Sequence, residues 1–268
     1  MSGGTPSGTD ETRREQPLAL VLVEPAGPLN VGSVARLCAN FDLHDLRLVA
    51  PRCDHLGEEA RRMAVHAGAV LEGARLYPDL AAALADRTRV VAASGRVDSQ
   101  ALPIEGPSEA IPWLLEQQAR PNPGDQASAP ALVFGREDRG LSTDELLQAG
   151  RILRIGTDAG YPSLNLSHAV AVSLHELRRC RQAGAPGRSS DPAAVAGPEP
   201  APRERLEAAL ADAEELLLEV GFLLPHTAHA RMAKLRALLQ RAQISSEEVA
   251  LVRGMVRQLR WASQRRTP

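Results

Sequence analysis

Aromatic side chains make up only 3% of this 268-residue chain. Its core must therefore be built from Ala, Val, Leu and Ile, and a platform of rings for stacking single-stranded bases is disfavoured. Cysteine is also scarce: Cys38, Cys53 and Cys180 are odd in number and far apart. That spacing fits neither a zinc site nor a disulfide framework, and points to a reducing, cytoplasmic setting. No apolar run approaches membrane-spanning length, and the opening MSGGTPSGTDETRREQ lacks the apolar segment of a signal peptide. Residues 1–16 are expected to form a disordered tail. The net charge is only -2, so no strong overall field marks the partner.

Missing motif residues exclude several chemistries. Gly135 and Gly140 have the spacing of a phosphate-binding loop, but Leu141 stands where the phosphate-reaching lysine belongs. Nucleotide hydrolysis is disfavoured. The first strand-like run is not followed by G-x-G-x-x-G, which weakens a dinucleotide-dependent dehydrogenase. His175-Glu176 has no second histidine four residues after His175, so a zinc hydrolase helix is discarded. Glu137, Asp138 and Asp144 read better as a turn and a helix capped by Ser142 or Thr143 than as a metal cluster. No metal is expected.

What is present alternates. Strand-like runs at 17–23, 46–50, 89–94, 131–135 and 151–155 are separated by helical patterns, which predicts an α/β fold with a parallel sheet and helices on both faces. Residues 183–202 then change composition, sixteen of twenty being Ala, Gly, Pro or Ser. They read as a flexible linker between an α/β domain at 17–182 and a small all-helical domain at 203–268. From Pro225 onward nine Lys and Arg face two acids. Arg231, Lys234, Arg236 and Arg241 are the candidates for an RNA-backbone footprint, with solvated basic helices as the alternative. Ser245 and Glu248 have capping spacing before the last helix.

Three stretches carry candidate chemistry. In EPAGPLNVGSVARLCANF, residues 24–41, the apolar stripe is Val31, Val34, Leu37, Cys38 and Phe41. Arg36 lies off that stripe. One turn past Gly32, it is placed either to be solvated or to lean over the bare glycine toward the loop holding Asn30. VFGREDRGLSTDEL, residues 133–146, stands at the carboxyl end of a strand, where α/β proteins bind ligands. YPSLNLSHAVAVSLHELRR, residues 161–179, leads Ser163, Asn165 and Ser167 into a helix whose first turns are apolar and must be covered by the sheet or by another subunit. Its polar residues are caps or ligand-holding groups.

Together NVGSVAR (30–36), FGREDRGL (134–141) and SLNLSHAVAV (163–172) resemble the three motifs of the SpoU/TrmH family of SPOUT methyltransferases, in order and spacing over residues 18–182. The tail from Gly221 and the YPSLNLSHAV stretch resemble the TrmJ branch of that family. The resemblance implies a deep trefoil knot in the C-terminal part of the α/β domain and a homodimer. It implies transfer of a methyl group from S-adenosylmethionine to the ribose 2′-hydroxyl of a tRNA pyrimidine at the start of the anticodon loop, position 32. The alternatives are another tRNA or rRNA site, or a non-catalytic RNA-binding module.

By the same resemblance, cofactor contacts fall on Ala93, Ser94, Gly95, Gly135, Ile155, Pro162, Ser163 and Leu164. Asn30, Arg36, Glu137, Ser163 and Asn165 form the catalytic set, with Arg36 reaching RNA and serving a cofactor held by the partner subunit. A guanidinium is a poor proton acceptor at neutral pH. Arg36 is therefore expected to clamp a phosphate or polarise the 2′-oxygen, Ser163 and Asn165 to orient ribose and loop, and Glu137 to hold Arg36 or the loop.

Overall fold

The computed structural model describes residues 18–95, 102–116, 129–183 and 199–265. The expected tail at 1–16 and the linker residues 184–198 lie outside that range. In chain order the elements are β1 (Ala19–Val23), α1 (Pro28–Asn40), β2 (Asp45–Val49), α2 (Glu58–Ala64), α3 (Gly68–Glu72), β3 (Arg75–Tyr77), α4 (Leu80–Leu84), β4 (Arg89–Ala93), β5 (Ile104–Glu105), α5 (Pro107–Leu115), β6 (Pro130–Phe134), α6 (Thr143–Leu146), β7 (Arg151–Leu153) and α7 (Leu166–Ala183). Three further helices follow, α8 (Arg203–Glu219), α9 (Pro225–Arg241) and α10 (Ser246–Gln264).

The strands form one parallel sheet in the order β3-β2-β1-β6-β4-β7-β5. Its central strands are apolar at nearly every position because both faces are covered. Leu20, Leu22, Leu48, Leu132 and Phe134 point to a core shared with Val31, Val34 and Cys38 of α1 and Val170 and Leu174 of α7. The alternate residues Val21, Val23, Val90, Ala131 and Val133 meet Leu80 and Leu84 of α4 and Leu146 of α6 on the other face. Burial pushes the Cys38 thiol up to about 12, which keeps it protonated and unreactive.

Gly32 has a different role from the one its sequence position suggests. It is buried, and a Cβ there would stand 2.2 Å from the Ala60 carbonyl oxygen and 2.8 Å from Met63 Cβ. The bare face of α1 admits the backbone of α2, so no guanidinium lies over it. Gly32→Ala is expected to cost about 1–3 kcal/mol through forced separation of the two helices. Urea unfolding checks this; a midpoint equal to the parent's would mean that α2 yields freely.

Residues 203–265 pack around Leu206, Leu210, Leu223, Met232 and Val249. Ser245 caps α10 in a reciprocal box with Glu248. The stretch read as linker is ordered at both ends. Ala183 closes α7, and at the far end Ala201 donates to the Ile244 carbonyl at 2.8 Å. Glu199 is buried and accepts from Thr88 Oγ1 at 2.7 Å and Arg89 Nε at 3.2 Å. A buried carboxylate needs such partners. The backbone amides of Arg203 and Glu204 then reach the carbonyls of Arg87 and Ala85. The helical unit therefore docks beside the amino end of β4, and its α9 also reaches the first turn of α6, where His229 Nε2 lies 3.3 Å from Asp144 Oδ1.

Candidate active site

Four loops meet at the carboxyl edge of the sheet. After β6 the chain turns back sharply: Arg136 and Gly140 exchange backbone hydrogen bonds of 3.2 and 2.9 Å, and Gly140 has φ +70°. A Cβ on Gly135 would stand 2.3 Å from the Gly140 carbonyl carbon. Glycine is required there by close backbone approach.

This loop is pinned by Arg136. Its guanidinium makes a bidentate pair with Glu145 at 2.8 and 2.9 Å and a short contact with Glu24 at the end of β1. Glu145 also completes the capping box of Ser142 at α6. The sequence reading missed Glu24, Arg136 and Glu145 as a unit, since their separation along the chain leaves no local signal beyond the charged run Arg136–Arg139.

The hydrogen bond from Arg136 holds the Glu24 carboxyl down from its ordinary 4.5 to about 2, and burial opposes that shift. A carboxylate whose folded value is depressed gives stability that is fully present above its ordinary value and is lost as pH falls through the folded value. The stability difference between the parent and Glu24→Gln should therefore be constant above about pH 5 and shrink between 4.5 and about 2. Denaturant unfolding across that range measures it, and a pH-independent difference would contradict the ionic clamp.

Glu137 points to the β1–α1 loop. It accepts from the amides of Ala26 and Gly27 at 3.1 and 3.0 Å and from Asn30 Nδ2 at 3.1 Å. Burial tends to raise this carboxyl, but the donors outweigh it and leave it below the ordinary range. It is thus an ionised acceptor that holds the loop and Asn30. It does not hold Arg36, which was one of the two roles expected of it. The chain of bonds continues, because Asn165 Nδ2 donates to Asn30 Oδ1 at 3.1 Å while Asn165 Oδ1 accepts from the Ser167 amide and hydroxyl. One relay, Glu137–Asn30–Asn165, ties together the three stretches singled out in the sequence.

Beside it lies a cavity of about 540 Å³ lined by Ala93, Ser94, Gly95, Gly135, Ile155, Pro162, Ser163 and Leu164, the eight positions expected to meet a cofactor. Glu137 and Arg136 also line it. Its wall is shaped by backbone: Ser94 N donates to the Leu153 carbonyl, and Thr157 Oγ1 to the Pro162 carbonyl, both at 3.0 Å. Arg36 is not on this cavity. It stands exposed on α1 with no hydrogen bond or ion pair among the described residues. Among the described residues no group of three His, Cys, Asp or Glu could hold a metal ion.

The basic helices are less free than their count suggests. Arg236 is paired with Glu207 at 2.8 Å, Arg253 with Asp212 at 2.8 Å and Arg260 with Glu215 at 3.1 Å, all acids of α8. Arg231 donates to the Phe222 carbonyl at 2.9 Å and lies over the Phe222 ring. Lys234 and Arg241 are exposed. Arg236 is thus committed within the helical unit, because α8 supplies acids that a count begun at Pro225 leaves out.

Residues 17–175 match the model of the SpoU rRNA Methylase family. The chain belongs to that family. Residues 204–268 match a second model, the C-terminal domain of the tRNA methyltransferase TrmJ. The tRNA (cytidine/uridine-2′-O-)-methyltransferase TrmJ of Cronobacter sakazakii is 33% identical over 247 residues, covering 90% of this chain and 95% of the relative. The tRNA (cytidine/uridine/adenosine-2′-O-)-methyltransferase TrmJ of Pseudomonas aeruginosa is 32% identical over 243 residues, covering 89% and 92%. Among solved structures, TrmJ from Z. mobilis ZM4 superposes with TM-score 0.74 at 32% identity, covering 90% of this chain and 98% of that one. Within the SpoU family the chain therefore stands on the TrmJ branch.

Proposed function

We propose that this protein transfers a methyl group from S-adenosylmethionine to a ribose 2′-hydroxyl of tRNA, at the pyrimidine that opens the anticodon loop, position 32. The observation that carries the proposal is the joining of one backbone-lined cavity to the Glu137–Asn30–Asn165 relay. Relatives that match nearly the whole chain are named for tRNA 2′-O-methylation.

The cavity fits the cofactor. Its volume of about 540 Å³ is in the range of small-molecule sites, and Gly95 leaves its wall bare, the nearest atom to a Cβ there being the Pro162 carbonyl oxygen at 3.5 Å. Arg136 Nε is buried on that wall without a partner among the described residues. Bound there, S-adenosylmethionine supplies a methyl group on a positively charged sulfur. Ala93, Gly95, Gly135, Ile155 and Leu164 hold it through loop shape and backbone groups. Ser163, exposed on the rim, is free to meet the ribose.

Glu137 keeps both its oxygens occupied and its charge, so it is a support for the loop and not a proton acceptor. Asn30 and Asn165 use their amides on each other and on Glu137, which makes them positioning residues. A guanidinium is a poor proton acceptor, so Arg36 is not the base. Its part is electrostatic: it polarises the 2′-oxygen, whose proton passes to solvent water at the exposed rim as the methyl group is transferred, and it clamps a neighbouring phosphate.

The assembly is a homodimer in which Arg36 serves the partner's cavity. Its exposure away from the cavity of its own chain supports this, as does Val172, left 41% exposed on the apolar helix α7. The segment from β6 to α7 forms the trefoil knot, a reading supported by β7 lying between β4 and β5 although it follows both in sequence. The protein works in the cytoplasm, and among the described residues no helix is long and apolar enough to cross a membrane. Titration calorimetry with S-adenosylmethionine, followed by transfer of labelled methyl to tRNA, tests the proposal. Binding with transfer supports it; binding without transfer to any RNA would leave a non-catalytic module.

A further inference from the structure

α10 has two apolar faces, and the helical unit uses only one. Val249 and Val256 are buried toward the rest of that unit. Leu251, Met255 and Leu259, four residues apart, form a second stripe that is 65%, 57% and 59% exposed. A monomeric helix gains nothing from such a stripe. Gly254 beside it is exposed in open space, where a Cβ would meet nothing within 4 Å. Glycine is among the residues least suited to a helix interior, and no contact among the described residues requires it. A bare position next to an exposed apolar stripe lets a second helix approach closely.

The stripe is complementary to itself. When two α10 helices lie antiparallel about a two-fold axis at Met255, Leu251 of each copy faces Leu259 of the other and Met255 faces its own counterpart. Glu247 and Arg265 stand eighteen residues apart, five full turns, so they share one flank of the stripe. In an antiparallel pair each flank meets the same flank of the other copy. The exposed carboxylate of Glu247 then lies within about 3 Å, along the axis, of the level of the exposed Arg265 guanidinium across the interface. Charge and apolar pattern select the same register.

We propose that α10 is a self-docking surface, pairing antiparallel with α10 of a second copy of this chain. The contact is additional to any formed by the α/β unit and places the helical units of two copies together. It is independent of methyl transfer, so product formation and this contact can fail separately.

The test is disulfide trapping in the full chain. Met255→Cys, on the two-fold axis, should give a covalent dimer under mild oxidation at least tenfold faster than Leu238→Cys, a control of similar exposure on α9. The parent, with Cys38, Cys53 and Cys180, sets the background. Adding Glu247→Arg to Met255→Cys should slow trapping several-fold, and adding Arg265→Glu as well should restore it. Trapping no faster than the Leu238→Cys control, or no rescue by the double charge reversal, overturns the proposal. It is also overturned if Leu259→Glu leaves trapping unchanged and weakens tRNA binding, because the stripe would then be an RNA surface.

Discussion

Arg36→Ala should lower methyl transfer to tRNA by about 10²–10³-fold, the scale seen when one preorganised electrostatic group is removed from a reacting site. The side chain is exposed on α1 and makes no hydrogen bond or ion pair among the described residues. Its truncation should shift stability by no more than about 0.5 kcal/mol, as for other surface changes. Loss of rate without loss of fold separates Arg36 from a supporting role. Arg36→Lys refines the result. A lysine keeps the charge but not the two-pronged geometry of a guanidinium, so activity within a few-fold of the parent would rule out a bidentate clamp. Single-turnover rates at saturating cofactor make the comparison, and an alanine variant as fast as the parent would remove Arg36 from the mechanism.

Gly135→Ala should abolish measurable cofactor binding or weaken it more than tenfold. The new methyl would stand 2.3 Å from the Gly140 carbonyl carbon and 2.5 Å from the Leu141 nitrogen. Both are backbone atoms, so the loop must move as a whole. Arg136, clamped by Glu24 and Glu145, resists that movement. Strain of this kind costs about 1–3 kcal/mol, and its effect falls on the wall of the cavity. Calorimetric titration of S-adenosylmethionine, beside thermal melting, measures both consequences. Binding as tight as the parent's would show that the loop shape is not what holds the cofactor.

Much of this site was legible because its parts are local in sequence. The four five-residue strands and β7 announce themselves as apolar runs, and the three polar loops follow strand ends or precede a helix. Ser142, one of the two cap candidates before α6, and Ser245, at capping spacing from Glu248, cap the helices expected after them. β3 and β5 were missed because Arg75–Tyr77 and Ile104–Glu105 lie at the sheet edges, exposed or half-buried, and so form no apolar run, whereas the similarly short β7 is internal and largely buried.

Long-range pairing was the other blind spot. Gly32 looked like a clearing for Arg36, but its neighbour is Ala60, twenty-eight residues on. Glu199 looked like part of a linker because its partners, Thr88 and Arg89, are more than a hundred residues away. The charge of the basic helices was misjudged for the same reason, since the acids that neutralise Arg236, Arg253 and Arg260 sit on α8. Composition counts charges and cannot show which of them are already paired.

The central claim is that this site methylates ribose in tRNA. The most direct measurement is mass spectrometry of nucleosides from unmodified tRNA transcripts incubated with the protein and S-adenosylmethionine, with Arg36→Ala as the control. A 2′-O-methylpyrimidine, mapped to position 32, should appear with the parent and be lost with the variant. No methylated ribose in any tRNA, from protein shown to bind the cofactor, would contradict the claim.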